Sequence, residues 1–261
     1  MTRIERIAAL GSSFAAGPGI DPVADPVAAR SERNYPHQLA RRLGAQLTDL
    51  TISGATTATI LDSPQEMMTG TSFPPQIEGL PADAQLVTLT AGGNDLQFAG
   101  SMLFAALNRT APQSPITEML APTFAHGIPE PTESATEAMA AGLERIVDEV
   151  RARTDHARVI LVDYLTVLDA SRSADLPFDA DELDILLRIQ AAVAAGHRLA
   201  AETSGAELLN ASTLSADHGL GSDDPWVFGF DPTPEGISSS FHPNLRGMTA
   251  IAAELARLVE T

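Results

Sequence analysis

The sequence predicts an α/β fold: a central parallel sheet with helices on both faces. Two observations carry this. Apolar runs with β-branched content recur along the chain, and the clearest are continuous rather than alternating, as in strands buried on both faces. Amphipathic helical patterns lie between them, and alternation of strand and helix builds a parallel sheet. No linker and no internal repeat interrupts the pattern, so residues 1–261 are expected to form one domain.

The first strand is expected over residues 4–10, Ile4 to Leu10. A helix follows over 35–43, with Leu39, Ala40 and Leu43 inward and Arg41 and Arg42 outward. Strands are expected next at 46–52 and 85–90. Residues 134–152 place Met139, Leu143, Ile146, Val147 and Val150 on one helical stripe. The run Arg-Val-Ile-Leu-Val-Asp-Tyr predicts a strand at 158–164, and Leu183, Leu186, Ile189, Val193 and Ala200 a helix over 181–203. A short strand at 206–209 and a terminal helix at 244–259 complete the series. Segments 109–133, 165–181 and 211–241 are rich in Pro, Ser, Thr, Asp or Gly and are expected to be irregular. In a doubly wound sheet, the loops at the strand C-termini build the site.

Composition removes several classes of function. Hydrophobic residues make up 44% of the chain, enough for a sizeable core, and the net charge is −18. Nucleic acid and anionic membrane surfaces demand clustered Lys and Arg, so neither is expected as a partner. No apolar stretch approaches the ~18 residues of a membrane-spanning helix, so no stable membrane insertion is expected. There is no cysteine, which removes disulfides, thiolate zinc sites and a cysteine nucleophile. With Glu5 and Arg6 interrupting any apolar leader, the expected location is the cytoplasm.

The first strand runs straight into Gly11-Ser12-Ser13-Phe14-Ala15-Ala16-Gly17. A serine between a strand end and a glycine-bearing loop is a candidate nucleophile, but a hydroxyl needs a base and oxyanion donors. Taken as the nucleophile, Ser13 sits at the strand end where open sheets bind ligands, and its own N–H can face the site. Gly54 follows the second strand and lacks a Cβ, so its N–H can approach a substrate closely. Asn94 follows the third strand and donates through its amide. His242, ahead of the last helix with Pro243 beside it, is the best-placed base. His37, His156 and His197 lie in or beside amphipathic helices and His126 and His218 in irregular loops, where solvated or hydrogen-bonded roles are expected.

Four segments, Gly-Ser-Ser-Phe-Ala-Ala-Gly, Ser-Gly-Ala, Gly-Gly-Asn-Asp and Phe-His-Pro-Asn, resemble in order and separation the four signature blocks of the SGNH/GDSL hydrolases. The Ala-Ala-Gly-Pro-Gly loop and Ser-Gly-Ala-Thr-Thr are most similar to an actinobacterial lipase, esterase and phospholipase branch. The resemblance implies a flavodoxin-like three-layer α/β/α sandwich and ester hydrolysis without metal or cofactor, on a small-molecule ester or lipid. By position it makes Ser13 the nucleophile, His242 the base, and Ser13, Gly54 and Asn94 the oxyanion hole.

Two departures stand out. The first block normally reads Gly-Asp-Ser, and Ser12 replaces the aspartate. The family often has Asp three residues before the histidine; here that residue is Ser239, which has no negative charge to offer an imidazolium. Some members of the branch orient the histidine through a backbone carbonyl instead. Proximity favours the Ser239 carbonyl, with Asp231, Asp223 or Asp224 as the competing partner. Secreted relatives also carry a cysteine just before the Ser-Gly-Ala block, where this chain has Ile52.

Trp226, Phe228 and Phe230 alternate shortly before His242, and could line an acyl pocket or tuck a loop into the core. Phe14 and Phe241 adjoin the nucleophile and the base and are expected to join such a pocket. Met102, Leu103 and Phe104 could form an opposite wall, with helical core packing the favoured role. A dinucleotide fingerprint fails because Gly17 and Gly19 lack a third glycine at Pro22, and there is no Gly-x-Ser-x-Gly elbow. Asp223 and Asp224 read as solvated acids rather than a calcium site. The same machinery would serve carbohydrate deacetylation or thioester hydrolysis, and a non-catalytic acyl- or sugar-binding module is the alternative from another class.

Overall fold

The computed structural model describes residues 3–172 and 176–260. Its centre is a sheet of five strands: β1 (Arg6–Gly11), β2 (Gln46–Asp49), β3 (Leu86–Thr90), β4 (Arg158–Val162) and β5 (Glu207–Leu209). Every pairing is parallel and the spatial order is β2-β1-β3-β4-β5. This is the flavodoxin-like order, in which the winding reverses between β1 and β3 and leaves a crevice at their C-terminal ends. Ala8 and Leu10 of β1 and Val87 and Leu89 of β3 are all fully buried, with Leu10 opposite Leu89. Burial of both faces is why these strands read as continuous apolar runs.

The helices are α1 (Ser13–Ala16), α2 (Tyr35–Leu43), α3 (Thr57–Leu61), α4 (Phe98–Thr110) and α5 (Pro115–Leu120). They continue with α6 (Glu133–Arg153), α7 (Ala180–Ser204), α8 (Ala211–Leu214) and α9 (Leu245–Glu260). Helix α2 packs on α9, while α6 packs on α7 and α3, so helical layers cover the sheet. The caps follow from sequence. Asn34 accepts the His37 N–H at the start of α2, and Asp179 and Glu182 form a reciprocal capping box on α7. One contiguous core runs from Ile7 through Leu86 and Val147 to Leu255.

Two boundaries move for local reasons. The second strand was expected to reach residue 52 but ends at Asp49, whose carboxylate accepts the Thr51 N–H and hydroxyl and turns the chain. The backbone still follows β1, through Leu50 N–H to the Ala9 carbonyl at 2.9 Å and Ile52 N–H to Gly11 at 3.0 Å. The fourth strand stops at Val162; the Asp163 N–H still bonds the Leu209 carbonyl of β5 at 3.2 Å, and Tyr164 turns away toward the loops after β1 and β3. Segments expected to be irregular contain α5 and α8, and of the segment 165–181 residues 173–175 lie outside the described residues. Two small antiparallel ladders, Val23–Asp25 with Arg30–Ser31 and Gln65–Glu66 with Ser72–Phe73, flank the loop after β2.

Candidate active site

The chain leaves β1 through Gly11, which a buried side chain grips: Gln76 accepts the Gly11 N–H at 2.8 Å and donates to its carbonyl at 3.0 Å. A Cβ on Gly11 would lie 2.5 Å from the Thr90 carbonyl oxygen, so only glycine passes this close to β3. Ser12 N–H bonds Thr90 at 2.8 Å, and the single turn of α1 begins at Ser13. That places the Ser13 hydroxyl at the crevice where the sheet order reverses.

His242 comes from a loop laced onto the segment 225–228. The Phe228 N–H donates to the His242 carbonyl at 2.8 Å and the Phe241 N–H to the Phe228 carbonyl at 3.1 Å. Asn244 donates from its N–H to Trp226 and from its amide to Pro225, then accepts the Arg246 N–H as α9 starts. The result sets His242 Nε2 2.8 Å from Ser13 Oγ. Nδ1 lies 2.9 Å from the Ser240 carbonyl. A carbonyl only accepts, so Nδ1 carries the hydrogen and Nε2 presents its lone pair to the serine.

The imidazole is enclosed by its loop and by the Phe14 ring, 5.4 Å away, while the residue keeps an edge to solvent. Burial pushes its pKa from 6.5 down to about 4, partly opposed by the carbonyls of Ser240 and Ser239. The histidine is therefore neutral at neutral pH, the form a general base needs.

The ring's partner corrects one expectation. The carbonyl that meets Nδ1 is that of Ser240, not Ser239; the Ser239 carbonyl accepts the main-chain N–H of His242 at 3.0 Å. The tight turn 239–242 turns the Ser239 carbonyl onto the backbone and leaves the next one for the ring. No aspartate among the described residues bonds His242. Asp231 accepts from Thr233, and Asp224 faces Arg246, His218 and Trp226.

Gly54 and Asn94 follow β2 and β3, the two neighbours of β1, so their loops leave the same end of the sheet on either side of the Ser13 loop. The Ser53 N–H bonds the Ala28 carbonyl and the Ser53 carbonyl accepts from Gln65, which holds Gly54 exposed with φ +85°. Asn94 donates one amide hydrogen to the Ala55 carbonyl at 2.8 Å, leaving its second hydrogen for another acceptor. Next to it, Asp95 accepts the Thr57 N–H and, at 2.5 Å, the Thr57 hydroxyl. Two residues of the Gly-Gly-Asn-Asp segment thus clip the Ser-Gly-Ala loop. Among the described residues, the N–H groups of Ser13 and Gly54 have no backbone acceptor.

The aromatic residues expected to form a pocket divide. Phe14 and Phe241 are fully enclosed and pack into the core instead: Phe14 lies 4.3 Å from Tyr164, and Phe241 stacks on Phe230 at 5.8 Å with the tilted Phe178 ring at 5.6 Å. Their neighbours in sequence occupy the crevice, so their own side chains point inward. Trp226 stacks on His218 at 3.8 Å. Phe228 lines an open cavity of about 640 Å³ with Ile20, Asn244 and Leu245. Met102 is fully buried, and Phe104 stacks on Phe124 at 4.7 Å. His37 bonds Asn34, and His197 is buried with Nδ1 on the Val193 carbonyl.

Sequence reasoning missed Gln76, Asp95 and Tyr164. Asp95 carried a signal, since it ends the Gly-Gly-Asn-Asp segment. Gln76 and Tyr164 had none, because their partners are 65 and 152 residues away in the chain. Among the described residues, no group of three or more His, Asp or Glu side chains is placed to hold a metal ion, and no helix is long and apolar enough to cross a membrane.

Comparison with known proteins agrees in extent with this layout. The fold is similar to that of an extracellular lipase from Streptomyces rimosus, with a TM-score of 0.72 and 22% identity over 98% of this chain and 100% of that one. It is similar also to phospholipase A1 from Streptomyces albidoflavus, at a TM-score of 0.74 and 21% identity over 99% and 100%. At those identities the likeness is one of fold. In sequence, the chain is 32% identical to Lipase 2 of Streptomyces coelicolor over 94% of its own length and 82% of the relative's. The GDSL-like lipase/acylhydrolase family matches residues 9–250. A match through nearly the whole chain settles membership: the protein belongs to the GDSL-like lipase/acylhydrolase family and is a carboxylic ester hydrolase acting on a small-molecule ester or lipid.

Proposed function

We propose that ester cleavage runs through an acyl-enzyme on Ser13, with His242 as general base. The observation that carries this reading is the 2.8 Å contact between His242 Nε2 and Ser13 Oγ, with Nδ1 occupied by a carbonyl. His242 takes the proton from Ser13 as Oγ attacks the ester carbonyl. The N–H groups of Ser13 and Gly54 and the free amide hydrogen of Asn94 receive the oxyanion. His242 then gives its proton to the leaving alcohol and activates water for deacylation.

The Ser240 carbonyl fixes the tautomer and ring direction that a carboxylate sets in a Ser-His-Asp triad. It offers a dipole rather than a charge to the imidazolium. Orientation is thereby kept while electrostatic support is smaller.

The test is hydrolysis of p-nitrophenyl acyl esters by Ser13→Ala and His242→Ala. Each should lose at least about a thousandfold in kcat. Near-full activity in either folded variant removes the reading.

A further inference from the structure

Resting on the reading just given, we infer that Tyr164 is a positioning residue for ester hydrolysis, its one hydroxyl fixing the nucleophile's loop against the loop of the oxyanion donor Asn94. Tyr164 lies two residues past the end of β4, which neighbours β3 and not β1. Its side chain nonetheless reaches the loops of both. The hydroxyl lies 2.8 Å from Ser12 Oγ and accepts the Gly93 N–H at 3.1 Å. Ser12 directly precedes Ser13, and Gly93 directly precedes Asn94. One oxygen atom thus ties the two residues that hold the nucleophile and the donor.

Three independent features fit this role. Ser12 stands at the N-cap of α1, where a serine hydroxyl ordinarily accepts a backbone N–H of the first turn, yet it makes no such bond. Its hydroxyl goes to Tyr164 instead. A Cβ on Gly93 would lie 2.5 Å from a Tyr164 ring carbon, so position 93 must be glycine for the ring to sit where it does. The ring is wedged by Phe14 at 4.3 Å, by Phe98 edge-on at 6.3 Å and by His197 at 5.8 Å. The hydroxyl is protonated through the neutral range as in any tyrosine, and burial raises its pKa further.

The consequence is geometric. Ser13 Oγ and the Asn94 amide must reach two atoms of one ester carbonyl, and small displacements of such groups cost large factors in rate. Ser12, at the position of the aspartate in the resembled first block, is on this account the partner of Tyr164.

Tyr164→Phe keeps the ring and removes the oxygen. It should lower kcat about tenfold with KM within about twofold, since one buried hydrogen-bonding group is lost. Labelling of Ser13 by a fluorophosphonate should slow by the same factor, and the acidic limb of the pH profile should stay in place because His242 is not a partner. Ser12→Ala should give a similar loss, and the double variant should be no slower than the worse single one. Ser12→Ala carries the test alone if Tyr164→Phe does not fold, as judged by circular dichroism and melting. Wild-type kcat in either folded single variant, or losses that multiply in the double variant, overturn the inference. If Ser13→Ala is dead while these variants are fully active, only the role of Tyr164 falls; if Ser13→Ala is active, the acyl-enzyme reading itself falls.

Discussion

His242 is held by its near neighbour Ser240: Nδ1 meets the carbonyl two residues earlier in the chain at 2.9 Å. A triad usually recruits a distant carboxylate for this contact. Here the histidine's own loop supplies it, so orientation of the ring depends on the backbone path of residues 239–242 and on its lacing to 226–228. Phe241, at φ +66°, lets the chain turn sharply enough, and its ring is locked between Phe178 and Phe230.

A backbone carbonyl survives side-chain replacement. Ser239→Ala and Asp231→Ala should each keep kcat/KM within about twofold of wild type, because neither removes a partner of the imidazole. The Ser239 hydroxyl is bonded to the Gly236 carbonyl and the Asp231 carboxylate to Thr233, both within the loop. A loss above about tenfold in a folded Asp231→Ala protein would show that a carboxylate supports the ring.

The pH profile should carry the mark of a dipole partner and an enclosed ring. The base works only when neutral, so activity is present above its pKa and lost as pH falls through it. With the pKa pushed down to about 4, the acidic limb of kcat/KM should lie well below 6.5. Folding stability has the same sign: the unfolded chain protonates this histidine first, so stability declines as pH falls from about 6.5 toward the folded value. A kcat/KM limb at or above 6.5, measured at saturating stability, contradicts the assignment of His242 as an enclosed base.

Asn94 and Asp95 should separate in their effects. Asn94→Ala removes the proposed oxyanion donor and should lower kcat about a hundredfold with little change in KM. It also frees the Ala55 carbonyl. Asp95→Ala removes the acceptor of Thr57 and should cost about 1–3 kcal/mol of stability, read from denaturant unfolding, with a smaller loss of kcat. Equal kcat losses with no stability change in Asp95→Ala would mean that Asp95 acts on the substrate and not on the loop.

Much of this was legible in the residues. The parallel sheet followed from the continuous runs of β1, β3 and β4, and the four helices expected from periodicity are α2, α6, α7 and α9, displaced by at most one residue at each end. Three of the four segments follow adjacent strands in the order β2-β1-β3, and the 2.8 Å contact of His242 with Ser13 joins the fourth to them. The aromatic residues beside Ser13 and His242 were read less well. In a tight turn, neighbouring side chains point apart, so Phe14 and Phe241 are driven into the core by the placing of Ser13 and His242 in the crevice.

By itself the sequence determined the fold class, since hydrophobic periodicity, capping residues and glycine-bearing turns act over a few residues, and through its four motif segments it pointed to the family and to the candidate site. The tertiary structure alone decided which carbonyl meets His242, what the Ser12 hydroxyl bonds, and that Gln76, Asp95 and Tyr164 brace the loops. Those contacts depend on where the backbone of a loop passes. Ser12 meets Tyr164 across 152 residues and Ser13 meets His242 across 229. No local propensity encodes such a meeting; it exists only once the sheet has brought the strand ends together.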